Sequence, residues 1–339
     1  MDSPRTLVPE PGSTWAHRMV TEDGTVRGEL VQVPIDSVGQ GEVLIHAEYS
    51  SLNYKDALGV LGHAPIYRKL PLIAGIDVVG VVAESTSPAV PVGQRVVVTG
   101  FGLGEDSDGG YAQWVRVPAE WAVPLDDSLS SWEAMALGTA GITSALAIAR
   151  LEQQGLTPGS GPVAVTGASG GSGSLAVAML VRLGHEVVAF TGSPQARALL
   201  TELGAAEVRD RPDVSSGKAL ESAQWAGAVD AAGGPVLAWL ARTLKPGGSV
   251  ATFGNTAGND VPLTVMPLIL RAVNILGVNT GNYFDTGLRH ELWRRLATDM
   301  RPQNLDSLAT TVGLTELVPA LERLHAGEVN GRVVVDLNR

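Results

Sequence analysis

Val165-Thr166-Gly167-Ala168-Ser169-Gly170-Gly171-Ser172-Gly173 is the stretch on which the fold turns. The apolar run Pro162 to Thr166 predicts a compact strand, and Ser172 to Leu183 predicts an apolar helix closed by Gly184. Glycines between a strand and a helix let the backbone bend sharply and approach a diphosphate closely. The helix N-terminus then offers unpaired N–H groups and the positive end of its dipole to that anion. Read as G-x-G-x-x-G, the turn has Ala168 in the first place and Gly170 and Gly173 in the other two. Gly167 to Gly171 also fits G-x-S-x-G, the nucleophile elbow of a hydrolase, with His290 or His325 to be nominated as its base. The extra glycine at 173 and the β-rich segment upstream fit a dinucleotide turn better.

The next strand, Glu186 to Thr191, says which dinucleotide. An NAD site carries an acid about 20 residues beyond the glycines, bonded to the ribose 2′-OH. Here the chain reads Phe190-Thr191-Gly192-Ser193-Pro194-Gln195-Ala196-Arg197, without a carboxylate. Two hydroxyls and the Arg197 guanidinium are what a 2′-phosphate needs, so the expected cofactor is NADPH. The plainer reading of Arg197 is a charge on a solvated helix face.

Working outward, strands and helices alternate. Pro194 to Leu203 predicts a helix, Ala226 to Ala232 a strand, Pro235 to Leu244 a helix, and Ser249 to Gly254 and Asn274 to Asn279 further strands. That alternation implies a doubly wound parallel sheet. Upstream, Glu42 to Tyr49, Asp77 to Ala83, Gln94 to Thr99 and Gly110 to Pro118 are short strands of a β-rich, barrel-like domain. A helix is expected from about Ser130 to Gln153. Leu288 to Thr298 and Leu314 to Ala326 look helical, and Gly331 to Leu337 is a final strand free to return to the first domain. The expected domains are 1–135, 136–284 and a C-terminal return at 285–339.

The 339 residues suffice for about two domains. Lysine plus arginine number 24 against 35 aspartates and glutamates, a net charge of −11 that argues against nucleic-acid binding. There is no cysteine, which excludes disulfides, thiol nucleophiles and thiolate zinc sites. The six histidines are scattered without ligand spacing, so no metal is expected. Ala134 to Ala149, the most apolar stretch, is broken by glycine and threonine and too short for a bilayer. The first dozen residues read as a loose polar leader, and a soluble cytoplasmic protein is expected. Glu105-Asp106-Ser107-Asp108 lacks the glycine and final glutamate of a calcium loop. The basic patch Tyr67-Arg68-Lys69 reads as a solvated face rather than a contact for coenzyme A phosphates.

From about residue 14 to 337 the chain resembles the medium-chain dehydrogenase/reductase superfamily. Where zinc-dependent members carry Gly-His-Glu, this chain has Gly75-Ile76-Asp77. That substitution and the missing cysteines resemble the zinc-free, quinone oxidoreductase-like branch. Ser50-Ser51-Leu52-Asn53-Tyr54-Lys55-Asp56-Ala57-Leu58, Pro71 to Gly80, Thr99 to Glu105, Gly109 to Gln113, Gly138-Thr139-Ala140-Gly141, Val265-Met266-Pro267 and Asn330-Gly331-Arg332 resemble the acrylyl-CoA reductase group within it. The resemblance implies a GroES-like catalytic domain, a Rossmann domain, a homodimer and NADPH-dependent reduction of acryloyl-CoA to propanoyl-CoA.

The resemblance also carries over site residues. Tyr54 falls beside the nicotinamide, Thr139 is a further cofactor contact, and Ser169, Gly170, Gly171 and Ser172 form the diphosphate turn. Thr191, Gly192 and Ser193 make the 2′-phosphate loop, and Asn255, Ile269, Thr280 and Asn330 line the nicotinamide side. The family often has arginine or lysine where this chain has Ser193, and an arginine where it has Glu207.

Hydride addition to an enoyl thioester puts negative charge on the thioester oxygen, which needs a donor. Tyr54 and Asn53 are the expected orienting and donating groups, with Lys55 and Asp56 supporting them or forming a structural ion pair. The alternatives are a quinone or general enone reductase, and a non-catalytic NADPH-binding protein.

Overall fold

The computed structural model describes residues 7–281 and 285–339. It divides into two compact units. One comprises the described residues up to Thr139, those within Gly281–His290, and Ala309–Arg339; the other comprises Ala140–Thr280 and Glu291–Leu308. The expected boundary at residue 284 lies outside the described residues.

The second unit is built on six parallel strands. Counted along this unit they are Val163–Thr166, Val187–Phe190, Glu207–Arg209, Trp225–Asp230, Leu244–Thr252 and Asn274–Gly277. Their spatial order is 3-2-1-4-5-6, with every pairing parallel. This is the doubly wound dinucleotide-binding order, whose crevice opens at the carboxyl ends of the central strands. The two strands flanking the glycine turn are buried along their whole length, which is why they read as continuous apolar runs. Phe190, Trp225 and Trp239 pack on one another, with ring centroids 5.2–6.2 Å apart.

The first unit holds a seven-stranded sheet and a three-stranded sheet. The larger runs in the order Ala309–Gly313, Arg332–Asp336, Val43–Ser51, Asp77–Ser85, Arg95–Thr99, Val123–Pro124, with Trp114–Val117 also paired to Val43–Ser51. The strand Arg332–Asp336 lies within this sheet. Val334, Val335 and Asp336 pair antiparallel with Ser51, Ser50 and Tyr49. It is also flanked by Ala309–Gly313, a strand its Thr-rich sequence did not advertise. The smaller sheet joins Thr25–Pro34, Ser13–Glu22 and Leu72–Ile73.

Three local expectations need correcting. The loose leader is tied down from Leu7, whose N–H donates to Asn338 O and whose carbonyl accepts from Gln113 Nε2; residues 1–6 lie outside the described residues. The helix Ser131–Gln153 is interrupted at Gly138, where φ is 50°. It is long and apolar enough to cross a membrane, yet 78% of its most apolar window is buried in the protein. The predicted strand Gly110 to Pro118 shrinks to Trp114–Val117, because Gly109, Gly110 and Tyr111 bond instead to Ile73, Gly75 and Ala74.

Candidate functional site

The glycine turn closes the first parallel strand of the second unit. Asp230, fully buried at the end of the neighbouring strand, fixes the strand ends around it. It accepts Thr166 Oγ1 at 2.6 Å, Thr252 Oγ1 at 2.8 Å, Ala232 N at 3.0 Å and Gly233 N at 3.1 Å. Sequence reasoning missed this clamp, since its partners are up to 64 residues away. The helix that follows, Gly171–Arg182, starts at Gly170 with no side chain capping it. Its first N–H groups are therefore open to an anion, and Ser169, Gly170, Gly171 and Ser172 stand partly exposed around them. A Cβ on Gly173 would lie 2.8 Å from both Gly167 C and Ala168 Cα, so only glycine lets the helix sit this close to the strand. Backbone donors, a dipole and a glycine cradle fit a dinucleotide diphosphate.

At the end of the second strand Thr191 is buried, and its Oγ1 accepts the Ser193 N–H at 3.0 Å, shaping the Thr191-Gly192-Ser193 turn. Arg197 does not reach into this turn. Its guanidinium donates to Val208 O at 3.0 Å and pairs with Asp210 at 2.6 Å, a carboxylate the strand pattern did not reveal. Thr280 is buried and its hydroxyl lies 2.9 Å from that of Thr143. Asn255 is exposed with its amide on Asn259, and Ile269 is 69% exposed.

The Asn53 to Asp56 motif opens the helix Tyr54–Val60 in the first unit. Asp56 Oδ2 accepts the Asn53 N–H at 3.0 Å, and its Oδ1 accepts the Ile76 N–H at 3.2 Å. The Asn53 amide donates to Asp77 Oδ2 at 2.8 Å. Asp77 also accepts Ser51 Oγ, Thr139 N and Thr139 Oγ1 at 2.5, 3.0 and 2.5 Å. Thr139 N is free to do so because Gly138 breaks the helix; a Cβ there would sit 2.6 Å from Asp77 Oδ2. Arg332 lies against this cluster, donating to Ser51 Oγ at 2.7 Å, Leu52 O at 2.9 Å and Ala136 O at 3.1 Å, 4.0 Å from Asp77. Tyr54 and Lys55 face outward from the same turn. Lys55 pairs with Glu105 at 2.9 Å, so the Lys55–Asp56 ion pair does not form: helix geometry sends neighbouring side chains in different directions. Asn330 is half-buried two residues before Arg332.

Burial, and then the Asp77 charge, push Asp56 up to about 7, while burial lowers Arg332. Below about 7 the folded protein keeps a proton on Asp56 that the unfolded chain releases near 3.8. This contribution to stability is full below that lower value and is lost as pH rises to about 7. The urea midpoint is thus expected to fall between pH 5 and 7.5, and to fall less in Asp56→Asn. An equal fall in both proteins would assign the pH dependence elsewhere.

Sequence reading also missed two histidines. His325 stacks 5.9 Å from the Tyr54 ring, and His63 stacks 4.2 Å from His325. Their positions, 63 and 325, give no sequence signal of the meeting. Among the described residues no three His, Asp or Glu side chains converge as metal ligands.

Two family models match the chain: the zinc-binding dehydrogenase domain over residues 171–300 and the alcohol dehydrogenase GroES-like domain over 39–127. YhfP of Bacillus subtilis strain 168, described as a quinone oxidoreductase, is 45% identical over 298 residues, spanning 87% of this chain and 90% of that protein. The acrylyl-CoA reductase AcuI of Ruegeria pomeroyi is 42% identical over 319 residues, spanning 94% and 96%. Among solved structures, the YhdH oxidoreductase of Salmonella enterica in complex with NADP superposes with a TM-score of 0.92 at 38% identity, covering 95% of this chain and 99% of that one. YhfP with NAD bound gives 0.92 at 42% identity, covering 96% and 99%.

Proposed function

This chain belongs to the medium-chain dehydrogenase/reductase superfamily, and on that premise we propose that it reduces an activated carbon–carbon double bond with NADPH, acryloyl-CoA to propanoyl-CoA being its reaction. The observation that carries the reading is the uncapped helix start at Gly170 and Gly171, set on a glycine turn at the end of a buried parallel strand. The likeness to AcuI supports the thioester substrate.

Ser169, Gly170, Gly171 and Ser172 hold the diphosphate, and Thr191, Gly192 and Ser193 border the adenosine ribose. Asn255, Ile269, Thr280 and Asn330 are assigned to the nicotinamide side, and Thr139 is a further cofactor contact. When bound, NADPH would supply hydride to the β-carbon of the enoyl group, and a proton from solvent water would complete the reduction at the α-carbon. Tyr54, exposed at the first turn of its helix, donates its phenolic hydrogen bond to the negative charge that develops on the thioester oxygen. A phenol is protonated at neutral pH and needs no tuning for this. Asn53, locked between Asp56 and Asp77, orients that turn, and Lys55 is held beside it by Glu105. Tyr54→Phe is expected to lower kcat roughly 100-fold while NADPH affinity stays unchanged. Unaltered turnover would reduce Tyr54 to an aromatic wall.

A second reading, a quinone reductase, rests on the likeness to YhfP. Oxidation of NADPH followed by absorbance with acryloyl-CoA, crotonyl-CoA and a simple quinone, each repeated with NADH, separates the two. Preference for acryloyl-CoA supports the thioester reading; quinone turnover without thioester turnover removes it. A homodimer belongs to the same proposal. The strand Asn274–Gly277 is an open sheet edge, and Val265, Met266, Leu268, Ile269 and Leu270 beside it are 40–69% exposed. Sedimentation at the monomer mass would reject it.

A further inference from the structure

We propose that Arg211, and not Arg197, supplies the positive charge that recognises the 2′-phosphate of the adenosine ribose. This rests on the reading of the second unit as a nicotinamide-dinucleotide domain. Three arginines lie at the outer edge of its sheet. Arg197 is spent on Asp210 and Val208 O. Arg209 pairs with Glu207 at 2.5 Å and lies over the Trp225 ring at 5.4 Å. Arg211 is exposed and forms no ion pair among the described residues.

The position of its guanidinium is specific. A Cβ on Gly192 would lie 2.7 Å from Arg211 Cζ and 2.8 Å from one Nη, so the group rests directly on the Gly192 backbone. It can do so only because residue 192 has no side chain. Gly192 is the middle residue of the turn that Thr191 Oγ1 shapes by accepting the Ser193 N–H. A guanidinium without an ion pair thus stands on the residue before Ser193, whose hydroxyl donates to Gln195 Oε1 at 3.2 Å, at the strand end where an NAD site would carry an acid. A planar fork of N–H donors suits a dianionic phosphate, and the Ser193 hydroxyl adds a neutral partner. The acidic residues nearby are already engaged: Asp210 by Arg197, Glu207 by Arg209, and Asp213 by Ser215 N. The ligand chemistry implied is a phosphomonoester on the 2′ position, which makes Arg211 a residue of cofactor choice and not of hydride transfer.

Isothermal titration of the full chain with NADPH, NADH, adenosine 2′,5′-bisphosphate and adenosine 5′-phosphate tests this without turnover. Arg211→Gln is expected to weaken NADPH and the bisphosphate roughly 10- to 100-fold and to leave NADH and adenosine 5′-phosphate unchanged. Unchanged NADH binding in the same variant also reports an intact glycine turn. Arg197→Gln is expected to leave the NADPH-to-NADH ratio of affinities as it is. The proposal is overturned if Arg211→Gln leaves that ratio unaltered, or if Arg197→Gln carries the loss. A wild-type protein that binds NADH as tightly as NADPH also overturns it, while the hydride-transfer reading survives. A wild-type protein that binds neither dinucleotide overturns both.

Discussion

Arg332→Met is expected to destabilise the first unit by about 3–5 kcal/mol. Methionine keeps much of the stem volume and removes the charge. Four hydrogen bonds of 2.7–3.3 Å disappear, leaving Ser51 Oγ, Leu52 O, Asn53 Oδ1 and Ala136 O short of a donor. Asp77, fully buried, then loses the guanidinium 4.0 Å away and keeps only the weaker Coulombic attraction of the buried Arg289. Buried polar groups stripped of partners cost more than the partners were worth, which is why the effect exceeds that of a surface pair. Urea unfolding followed by tryptophan fluorescence checks it as a midpoint shift at constant slope. Adding Asp77→Asn to Arg332→Met is expected to restore part of the loss, because the orphaned charge goes with it. A shift equivalent to less than about 1 kcal/mol would mean that solvent reaches the cluster and screens it.

The second large effect is on the cofactor. Gly173→Val is expected to weaken NADPH binding about 100-fold or more, some 2.8 kcal/mol. Gly173 has no unusual φ, so the constraint is space and not backbone freedom. Its added carbon would meet Gly167 O, Gly167 C and Ala168 Cα, all backbone, and none can step aside as a flexible side chain would. The helix start must then move off the strand end, taking its N–H groups away from the anion. Gly170→Ala is the control with a different signature. A Cβ there meets only Gly167 O, at 3.5 Å, so the thermal transition should hold while the approach of a diphosphate is obstructed. Titration with NADPH beside a melting curve separates the cases. If Gly173→Val binds NADPH normally, close helix–strand contact is not what the cofactor turn depends on.

How much of this was legible in the sequence depends on distance along the chain. The parallel strands Val163–Thr166 and Val187–Phe190 and the helix between them announce themselves, because burial on both faces leaves an unbroken apolar run and glycine marks each end. Glu207–Arg209 escapes notice: three residues, two of them charged, do not look like a strand without a neighbour to bond. The helix Tyr54–Val60 is too short for periodicity to show. Side-chain partnerships fare worse. Arg197 is the natural candidate for a 2′-phosphate until Asp210, 13 residues on, takes its charge. Arg211 reaches Gly192 only through the pairing of the strands that precede them. The stack of His325 on Tyr54 depends on two helices meeting, which no local pattern encodes.

The strand Arg332–Asp336 lies inside its sheet, between Ala309–Gly313 and Val43–Ser51, and not at an edge. Its Arg332 bonds to a serine 281 positions earlier. During synthesis the Tyr49–Ser51 end of the strand Val43–Ser51 therefore leaves the ribosome with one side unpaired, and an acidic cluster awaits Arg332. The intervening domain can close its own sheet from Val163 to Gly277 in the meantime, since every strand it needs has already been made. The seven-stranded sheet, begun first, can therefore be completed only after the parallel sheet has all its strands.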